Sequence, residues 1–338
     1  MTRTAFVLGA TGQIGHAAIN ALLADGWDVT AASRGRSANT IPDGARHLTV
    51  DRSDPGALDA AIGSGYDVLV DTVAFTADHG RDLRTLAGRV GSAVVISTGA
   101  VYTDSDGHTL GGEVFPAFPT AIPETQPTSD PGLGGYGPDK VALENELLAA
   151  GSELPTTLLR AGTIHGRHSA IPREWYFVKR ALDRRPVRIL AYPDAVFHPI
   201  AAVNLAELVR LAAHRPGSRV LNAGDPAPPS ASEIGAAIGA AMGHLPEEIR
   251  LDGPPDGNVG DSPWSLRGSF VMDMGKAARE LGYEPVTDYA GALPDTIAWL
   301  TEVTEGKDWR EVLPGTKVLG GEDMFDYDAE DAWLAERR

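Results

Sequence analysis

The sequence predicts an α/β fold, a doubly wound parallel sheet with helices on both faces. Three observations predict it. A short apolar run, Thr4-Ala-Phe-Val-Leu8, leads directly into Gly9-Ala-Thr-Gly12-Gln-Ile-Gly15. The apolar spacing then changes from that of a strand to that of a helix. Strand-like and helix-like stretches go on alternating up to about residue 160, the pattern of parallel sheets covered on both faces.

The elements follow in order. Thr4–Leu8 is too short and too apolar for a helix and reads as a buried strand. From Gln13 to Ala24 the residues Ile14, Ala17, Ala18, Ala21 and Leu22 fall at helical spacing. Strand, glycine turn and helix in this order form a Rossmann-type dinucleotide cradle. One glycine makes the turn, one admits a pyrophosphate against the backbone and one lets helix pack on strand. The helix start offers free N–H groups and the positive end of its dipole. The spacing is Gly-x-x-Gly-x-x-Gly.

The next strand, Trp27-Asp-Val-Thr-Ala-Ala32, ends in Ser33-Arg34-Gly35-Arg36. An NAD-preferring site places an Asp or Glu about 20 residues past the glycines, on the ribose 2′-OH. A hydroxyl and two arginines stand there instead. A guanidinium suits a 2′-phosphate in charge and in its bidentate geometry. NADP(H) is therefore expected over NAD(H). Asp51, after the strand His47–Val50, is a candidate for contact with the adenine, or else a helix cap.

Ser92–Ser97 reads as another parallel strand, running into Thr98-Gly-Ala-Val-Tyr102. A hydroxyl at the carboxyl end of such a strand lies where open α/β sheets bind ligands. Gly-Tyr136-Gly-Pro-Asp-Lys140 then opens a helix that continues through Val141, Leu143, Leu147 and Leu148. Pro138 fits its first turn. Tyr136 and Lys140 stand one turn apart on nearly the same face. A free tyrosine has a pKa near 10 and is a poor base at neutral pH. A nearby ammonium and a helix N-terminus favour the phenolate. Tyr136 is thus expected to exchange a proton with an alcohol or ketone, Lys140 to support it and hold a ribose, and Thr98 to hold the substrate oxygen.

On these residues the chain resembles the extended short-chain dehydrogenase/reductases, the NAD-dependent epimerase/dehydratase superfamily. The matching stretches are Gly9–Gly15, Val94–Tyr102, Tyr136–Lys140, Leu158-Leu-Arg-Ala-Gly-Thr-Ile-His-Gly166 and, more faintly, Phe197–Glu207. The resemblance implies a nicotinamide-binding Rossmann domain over 1–160 and a smaller C-terminal domain over 161–338 that mainly binds substrate, with some elements returning to the sheet. It makes Thr98, Tyr136 and Lys140 the catalytic set. The cofactor set it implies is Gly9, Thr11, Gly12, Gln13, Ile14, Gly15, Ser33, Arg34, Asp51, Arg52, Ala74, Tyr136, Lys140, Ala161 and Thr163. Phe75, Gly99, His165, Arg167 and His198 are its expected substrate residues. The chain departs from the family at three places. Gly99-Ala100 replace the Asp-Glu pair of the dehydratases, Thr163 stands near the usual Asn of nucleotide-sugar enzymes, and Ala195-Val196 stand where those enzymes carry an Arg. Dehydration and a nucleotide-sugar substrate are disfavoured.

Composition bounds the rest. The chain has 338 residues, no cysteine and a formal charge of −17. No thiol chemistry is available, and the basic footprint of a nucleic-acid binder is missing. No apolar run approaches membrane-span length. A soluble cytoplasmic protein is the expectation, with a small-molecule substrate and no nucleic-acid or membrane partner; a homodimer is compatible with it. Arg160, Arg167, Arg173, Lys179 and Arg180 concentrate positive charge, either for an anionic substrate or as salt-bridged surface. Residues 103–135, rich in Gly, Pro, Thr and Asp, read as a lid-like loop. Glu174–Leu182, Asn204–His214, Ser230–Met242 and Leu293–Val303 read as helices, with Ser230 as an N-cap. The acidic tail, Gly320–Arg338, reads as a short helix anchored by aromatic residues. His165 and His168 lie in an expected loop with no carboxylate beside them, so no metal is expected. The leading function is an NADP(H)-dependent reductase or dehydrogenase on a secondary alcohol/ketone pair of a small polar substrate. A sugar epimerase and a nucleotide-sensing protein without chemistry are the alternatives.

Overall fold

The computed structural model describes residues 2–36 and 39–337. The chain runs β1 (Thr4–Leu8), α1 (Gln13–Ala24), β2 (Asp28–Ser33), β3 (Arg46–Thr49), α2 (Ala57–Ile62), β4 (Tyr66–Asp71), α3 (Ala77–Arg84), β5 (Val90–Thr98), α4 (Tyr136–Ala149) and β6 (Thr156–Ala161). It continues with β7 (Thr163–His165), α5 (Trp175–Leu182), β8 (Val187–Ala191), β9 (Pro199–Ala201), α6 (Ala202–His214), β10 (Arg219–Ala223), α7 (Ala231–Ala241) and β11 (Glu247–Leu251). The last helices are α8 (Gly275–Leu281), α9 (Tyr289–Thr304), α10 (Trp309–Val312) and α11 (Tyr327–Ala335).

Two compact units share these elements. The first comprises Met1–Gly162, Ala202–Gly224 and Met272–Val286. Its seven strands are parallel, in the order β10-β6-β5-β4-β1-β2-β3. The order reverses between β1 and β4. That is the switch point at which loops diverge and leave a crevice at the carboxyl ends of the strands. Because helices cover such a sheet, its strands are continuous apolar runs. Phe6, Leu69, Val95, Leu143, Leu147 and Leu158 accordingly pack into one buried core. Gly15 is required by close packing, since a Cβ there would overlap the Gly9 carbonyl oxygen.

The expected α1 has the observed bounds. The second strand begins one residue late, at Asp28, because the Trp27 N–H still bonds back to Leu22 and its indole to Asp25. The segment from Thr103 to Gly135 contains no helix or regular strand. It is nevertheless pinned at two places. Thr103 N–H donates to Pro127 O at 2.9 Å and Ser129 N–H to Val101 O at 2.8 Å. Asp104 is buried and accepts from the Asp106, His108 and Ala117 N–H groups and from the His108 ring. Ile122 is fully buried, and its carbonyl accepts from Asp273 N–H and Asn222 Nδ2.

The second unit comprises Thr163–Ala201, Asp225–Val271 and Thr287–Arg338. It holds two short parallel pairs, β8 with β11 and β7 with β9. Its core is aromatic: Trp175, Tyr176, Phe177, Trp264, Tyr289 and Trp299 pack together. Ser230 caps α7, and Glu233 returns the bond in a capping box. Helix α9 starts four residues before its expected beginning, at Tyr289, because Asp288 caps it. In the tail, Glu330 of α11 forms a buried pair with Arg180 of α5, and Trp333 packs beside Val187 and Ile189. Arg338 lies outside the described residues. No helix among the described residues is long and apolar enough to cross a membrane.

Candidate active site

The glycine loop folds over the end of β1. Gly9 and Ala10 donate to Ala32 O at 3.1 Å each, and Gly12 N–H closes the turn onto Gly9 O at 3.1 Å. Gly12 caps α1 with no side-chain bond. The first-turn N–H groups of a helix have no intrahelical acceptor, so they remain available to an anion. Buried Gln13 Oε1 has no protein partner among the described residues. Asn39, which sequence reasoning missed, donates to Thr11 O at 2.9 Å.

At the end of β2 the Ser33 hydroxyl lies 3.0 Å from His47 Nε2 and accepts from Gly35 N–H at 3.3 Å. His47 is exposed on β3, and nothing in its local sequence announced this contact, which exists only because β2 and β3 pair. The two arginines diverge. Arg36 pairs with Asp51 at 3.2 Å, while Arg34 stands exposed. Asp51 also accepts from Ser53 N–H at 3.1 Å. That backbone bond, with Arg36 and Arg34 nearby, holds its carboxyl below the usual range. Asp51 therefore serves a turn and an ion pair.

Lys140 is almost fully buried. Its ammonium donates to Ala74 O at 2.6 Å and Ile96 O at 2.8 Å, tying the end of β5 to the loop after β4. It sits 4.6 Å from the centroid of the Phe75 ring and 6.0 Å from that of Tyr136. Burial pushes its pKa down to about 8, against the pull of Asp71 and Glu144. Tyr136 is the first residue of α4 and is 56% exposed. The helix start lies tight against the end of β5, because Gly137 lets the backbone approach: a Cβ there would be 2.6 Å from Ala100 O. Thr98, the last residue of β5, is buried, and its hydroxyl accepts from Ala100 N–H at 3.1 Å. Gly99 follows it, and Ala161 pairs with Thr98 in register across β6. Tyr102 is a different kind of tyrosine. It is buried, burial pushes its phenol up to about 12, and it donates to Asn222 at 2.6 Å. Of the two tyrosines, Tyr136 is the exposed one, and its ring stands beside the lysine.

A buried polar network supports α4 from below. Glu144 accepts from Ser97 Oγ at 2.5 Å and from Arg160 at 2.6 Å. The Arg160 guanidinium lies 4.9 Å from the Tyr102 ring centroid. On the other side, His79 accepts the Phe75 N–H at 2.9 Å through Nδ1, and burial lowers the pKa of that ring. Arg52 pairs with buried Asp71 at 2.7 Å.

Thr163, His165, Arg167 and His198 belong to the second unit. Thr163 N–H donates to His198 O at 2.8 Å. His165 is fully buried in β7, not in a loop, and it does have a carboxylate partner: Asp225 Oδ2 lies 2.7 Å from Nε2. His198 is also buried and contacts Asp225 O at 2.9 Å. Arg167 is paired with Asp295 and Glu302. The positively charged stretch is neutralised in the same way. Arg160 pairs with Glu144, Lys179 with Asp183 and Arg180 with Glu330, and the Arg173 guanidinium lies against the Phe197 ring. Of the two readings of that stretch, salt bridging is the one observed for these pairs.

The fold and the site thus define a Rossmann-type α/β protein with a glycine cradle and a tyrosine–lysine pair at the switch-point end of its sheet. Residues 5–224 match the family model described as the NAD dependent epimerase/dehydratase family. The chain belongs to that family of enzymes. Over 169 residues it is 32% identical to the 2'-dehydrokanamycin reductase of Streptomyces kanamyceticus. The match takes in 48% of this chain and 44% of the relative, less than half its length. Among solved structures, the Bordetella bronchiseptica enzyme WbmH in complex with NAD+ is 17% identical, with a TM-score of 0.69, over 89% of this chain and 99% of that one. The UDP-glucose 4-epimerase of Thermus thermophilus, in complex with NAD, is 20% identical with a TM-score of 0.65, over 88% and 98%. These likenesses bear on the fold.

Proposed function

We propose that the chain is an NADP(H)-dependent oxidoreductase acting on a secondary alcohol/ketone pair of a small polar substrate. The observation that carries this reading is the lysine clasp. Lys140 is held between Ala74 O and Ile96 O, one helical turn from an exposed Tyr136 whose helix starts against the backbone of Ala100, just past the Thr98 strand end. The fit to a dinucleotide is supported by the cradle itself: first-turn N–H groups of α1, the unpartnered Gln13 Oε1, and Ser33 with Arg34 at the end of β2.

The residues that would hold the dinucleotide are Gly9, Thr11, Gly12, Gln13, Ile14 and Gly15 at its phosphates, and Ser33 and Arg34 at a 2′-phosphate. Asp51, Arg52, Ala74 and Ala161 line its length, and Tyr136 and Lys140 serve the nicotinamide end. Bound there, the nicotinamide would supply or accept hydride. The chain's own part is the proton. Tyr136 delivers it to the ketone oxygen, or takes it from the alcohol, and the Lys140 ammonium favours the phenolate that remains. Near neutral pH a lysine with a pKa of about 8 is still largely charged, so it can play this part. Thr98 fixes the substrate oxygen, and positioned proton transfer of this kind is worth ~10²–10⁴ in rate.

Reduction is favoured over epimerisation by the reductase relative, and dehydration is disfavoured by Gly99-Ala100. The paired arginines and the charge of −17 argue for a substrate without phosphate. We assign the dinucleotide to the first unit, where Phe75 and Gly99 meet the substrate. A carbonyl panel with stoichiometric NADPH tests the reading. One cofactor oxidised per ketone consumed is expected. Interconversion of two epimers with no net cofactor change would make the chain an epimerase instead.

A further inference from the structure

Lys140 and His79 grip one peptide group from opposite ends. The Lys140 ammonium donates to Ala74 O at 2.6 Å, and the Phe75 N–H donates to His79 Nδ1 at 2.9 Å. Ala74 C=O and Phe75 N–H belong to the same planar amide. Hydrogen bonds at the two ends of an amide polarise it in the same sense, so each strengthens the other. Both grips come from fixed supports. His79 stands in the first turn of α3, where its own N–H donates to the capping Thr76 hydroxyl at 3.5 Å. The next residue, Gly80, seats α3 against α4, since a Cβ there would lie 2.8 Å from the Glu146 Cβ. Lys140 belongs to that same α4 and also reaches Ile96 O of β5. The Phe75 ring, carried by the gripped amide, lies 4.6 Å from the ammonium.

An imidazole accepts through Nδ1 only while that nitrogen carries no proton. Once protonated, it turns N–H toward N–H, and the grip opens. The charged groups around the ring are Arg52 after β3, Asp71 at the end of β4, and Asp78 and Asp82 of α3 itself. From α4, Lys140 faces the Phe75 ring, while Glu146 is taken up by Arg81 and Arg84. Burial, with Arg52, outweighs the carboxylates and holds the imidazole below its ordinary value of 6.5. The ring is therefore largely neutral at pH 7, and the grip is closed there.

We propose that His79 is a positioning residue for the proton transfer: by accepting the Phe75 N–H it fixes the amide that anchors Lys140, and its protonation sets the acid limit of activity. The inference rests on the oxidoreductase reading above and deepens it. His79 acts through Lys140 and Phe75 rather than on the reacting atoms.

The test compares two variants. His79→Asn offers a carboxamide oxygen in place of Nδ1 and cannot titrate; His79→Leu removes the acceptor. Ketone reduction at saturating NADPH is followed from about pH 5 to about pH 8, with a thermal melt at each pH. Near pH 8, His79→Asn should match wild type in kcat, and His79→Leu should lose about two- to ten-fold, the range for one neutral hydrogen bond. As pH drops below 6.5, the ratio of wild type to His79→Asn should fall toward that of His79→Leu to His79→Asn, which stays flat. In enzyme carrying isotope-labelled phenylalanine, the Phe75 amide resonance should move with the same midpoint in wild type and stay still in His79→Asn. A flat wild-type ratio, or a wild-type Phe75 amide that does not respond, overturns the proposal and leaves the oxidoreductase reading intact. A wild-type protein that oxidises NADPH with no ketone overturns that reading and the proposal with it. Should His79→Leu melt early, the ratio of wild type to His79→Asn and the amide resonance decide alone.

Discussion

Replacing Lys140 by methionine separates the clasp from the charge that it carries. The ammonium is buried, makes two bonds to backbone carbonyls, and has its pKa lowered from the ordinary 10.5 to about 8 by burial. A shift of that size is worth about 3 kcal/mol, at ~1.36 kcal/mol per unit. The sign follows from linkage. Between pH 8 and 10.5 the unfolded chain still binds the lysine proton while the folded chain has released it. Stability from this group therefore rises with pH across that window. The thioether of the Lys140→Met variant cannot titrate, so the difference between wild type and variant isolates the effect from all other groups. Below pH 8 wild type holds its two carbonyl bonds but bears the burial of a charge. Toward pH 10.5 that penalty disappears. Urea unfolding of both proteins at pH 7 and at pH 10.5 should show the stability difference, wild type minus variant, moving in favour of wild type by about 3 kcal/mol. A difference that stays flat within about 0.5 kcal/mol, the scatter expected for independent effects, would show that the ammonium is not desolvated and that the clasp is misdescribed.

Three further outcomes are expected. Arg34→Ala should weaken NADPH by about 1.5–3 kcal/mol, the range for hydrogen bonds to charged groups, and leave NADH nearly untouched; paired dissociation constants at fixed salt check it. Glu144→Ala should strip the buried Arg160 guanidinium of its carboxylate and cost about 3–5 kcal/mol, read from urea midpoints. Hydrogen exchange should divide the 103–135 segment. The amides of Thr103 and Ser129, bonded to Pro127 and Val101, should exchange slowly, and those of the exposed Ser105, Gly134 and Gly135 quickly, with the latter two slowing when cofactor and substrate bind together. Uniform protection in the free protein would remove the lid.

What could be read from the sequence was what is local. The glycine loop declares itself because strand, turn and helix are consecutive, and α1 because its apolar residues recur at helical spacing. Tyr136 and Lys140 are legible because one helical turn is about four residues. What escaped is what the sheet brings together from a distance. His47 meets Ser33 only through the pairing of β2 and β3, and Arg52 meets Asp71 only because strand ends converge at the switch point. The positive stretch from Arg160 to Arg180 left two readings open because its acidic partners, Glu144, Asp183, Asp295 and Glu330, are scattered along the chain. The carboxylate beside His165 went unread for the same reason, since Asp225 is 60 residues away. The irregular segment 103–135 was visible by composition, but its anchoring through Asp104 and Ile122 was not. Those bonds run to single backbone groups and leave no periodic trace.

The central claim is that the Tyr136 phenol carries the proton while the rest of the site binds. Tyr136→Phe removes one oxygen atom from an exposed residue and leaves the Lys140 clasp in place. With a reducible ketone and NADPH, single-turnover oxidation of the cofactor should fall by about 10²–10⁴ relative to wild type. The dissociation constant for NADPH should stay within a few-fold. Turnover within a few-fold of wild type would contradict the account and send the search for the acid to another residue.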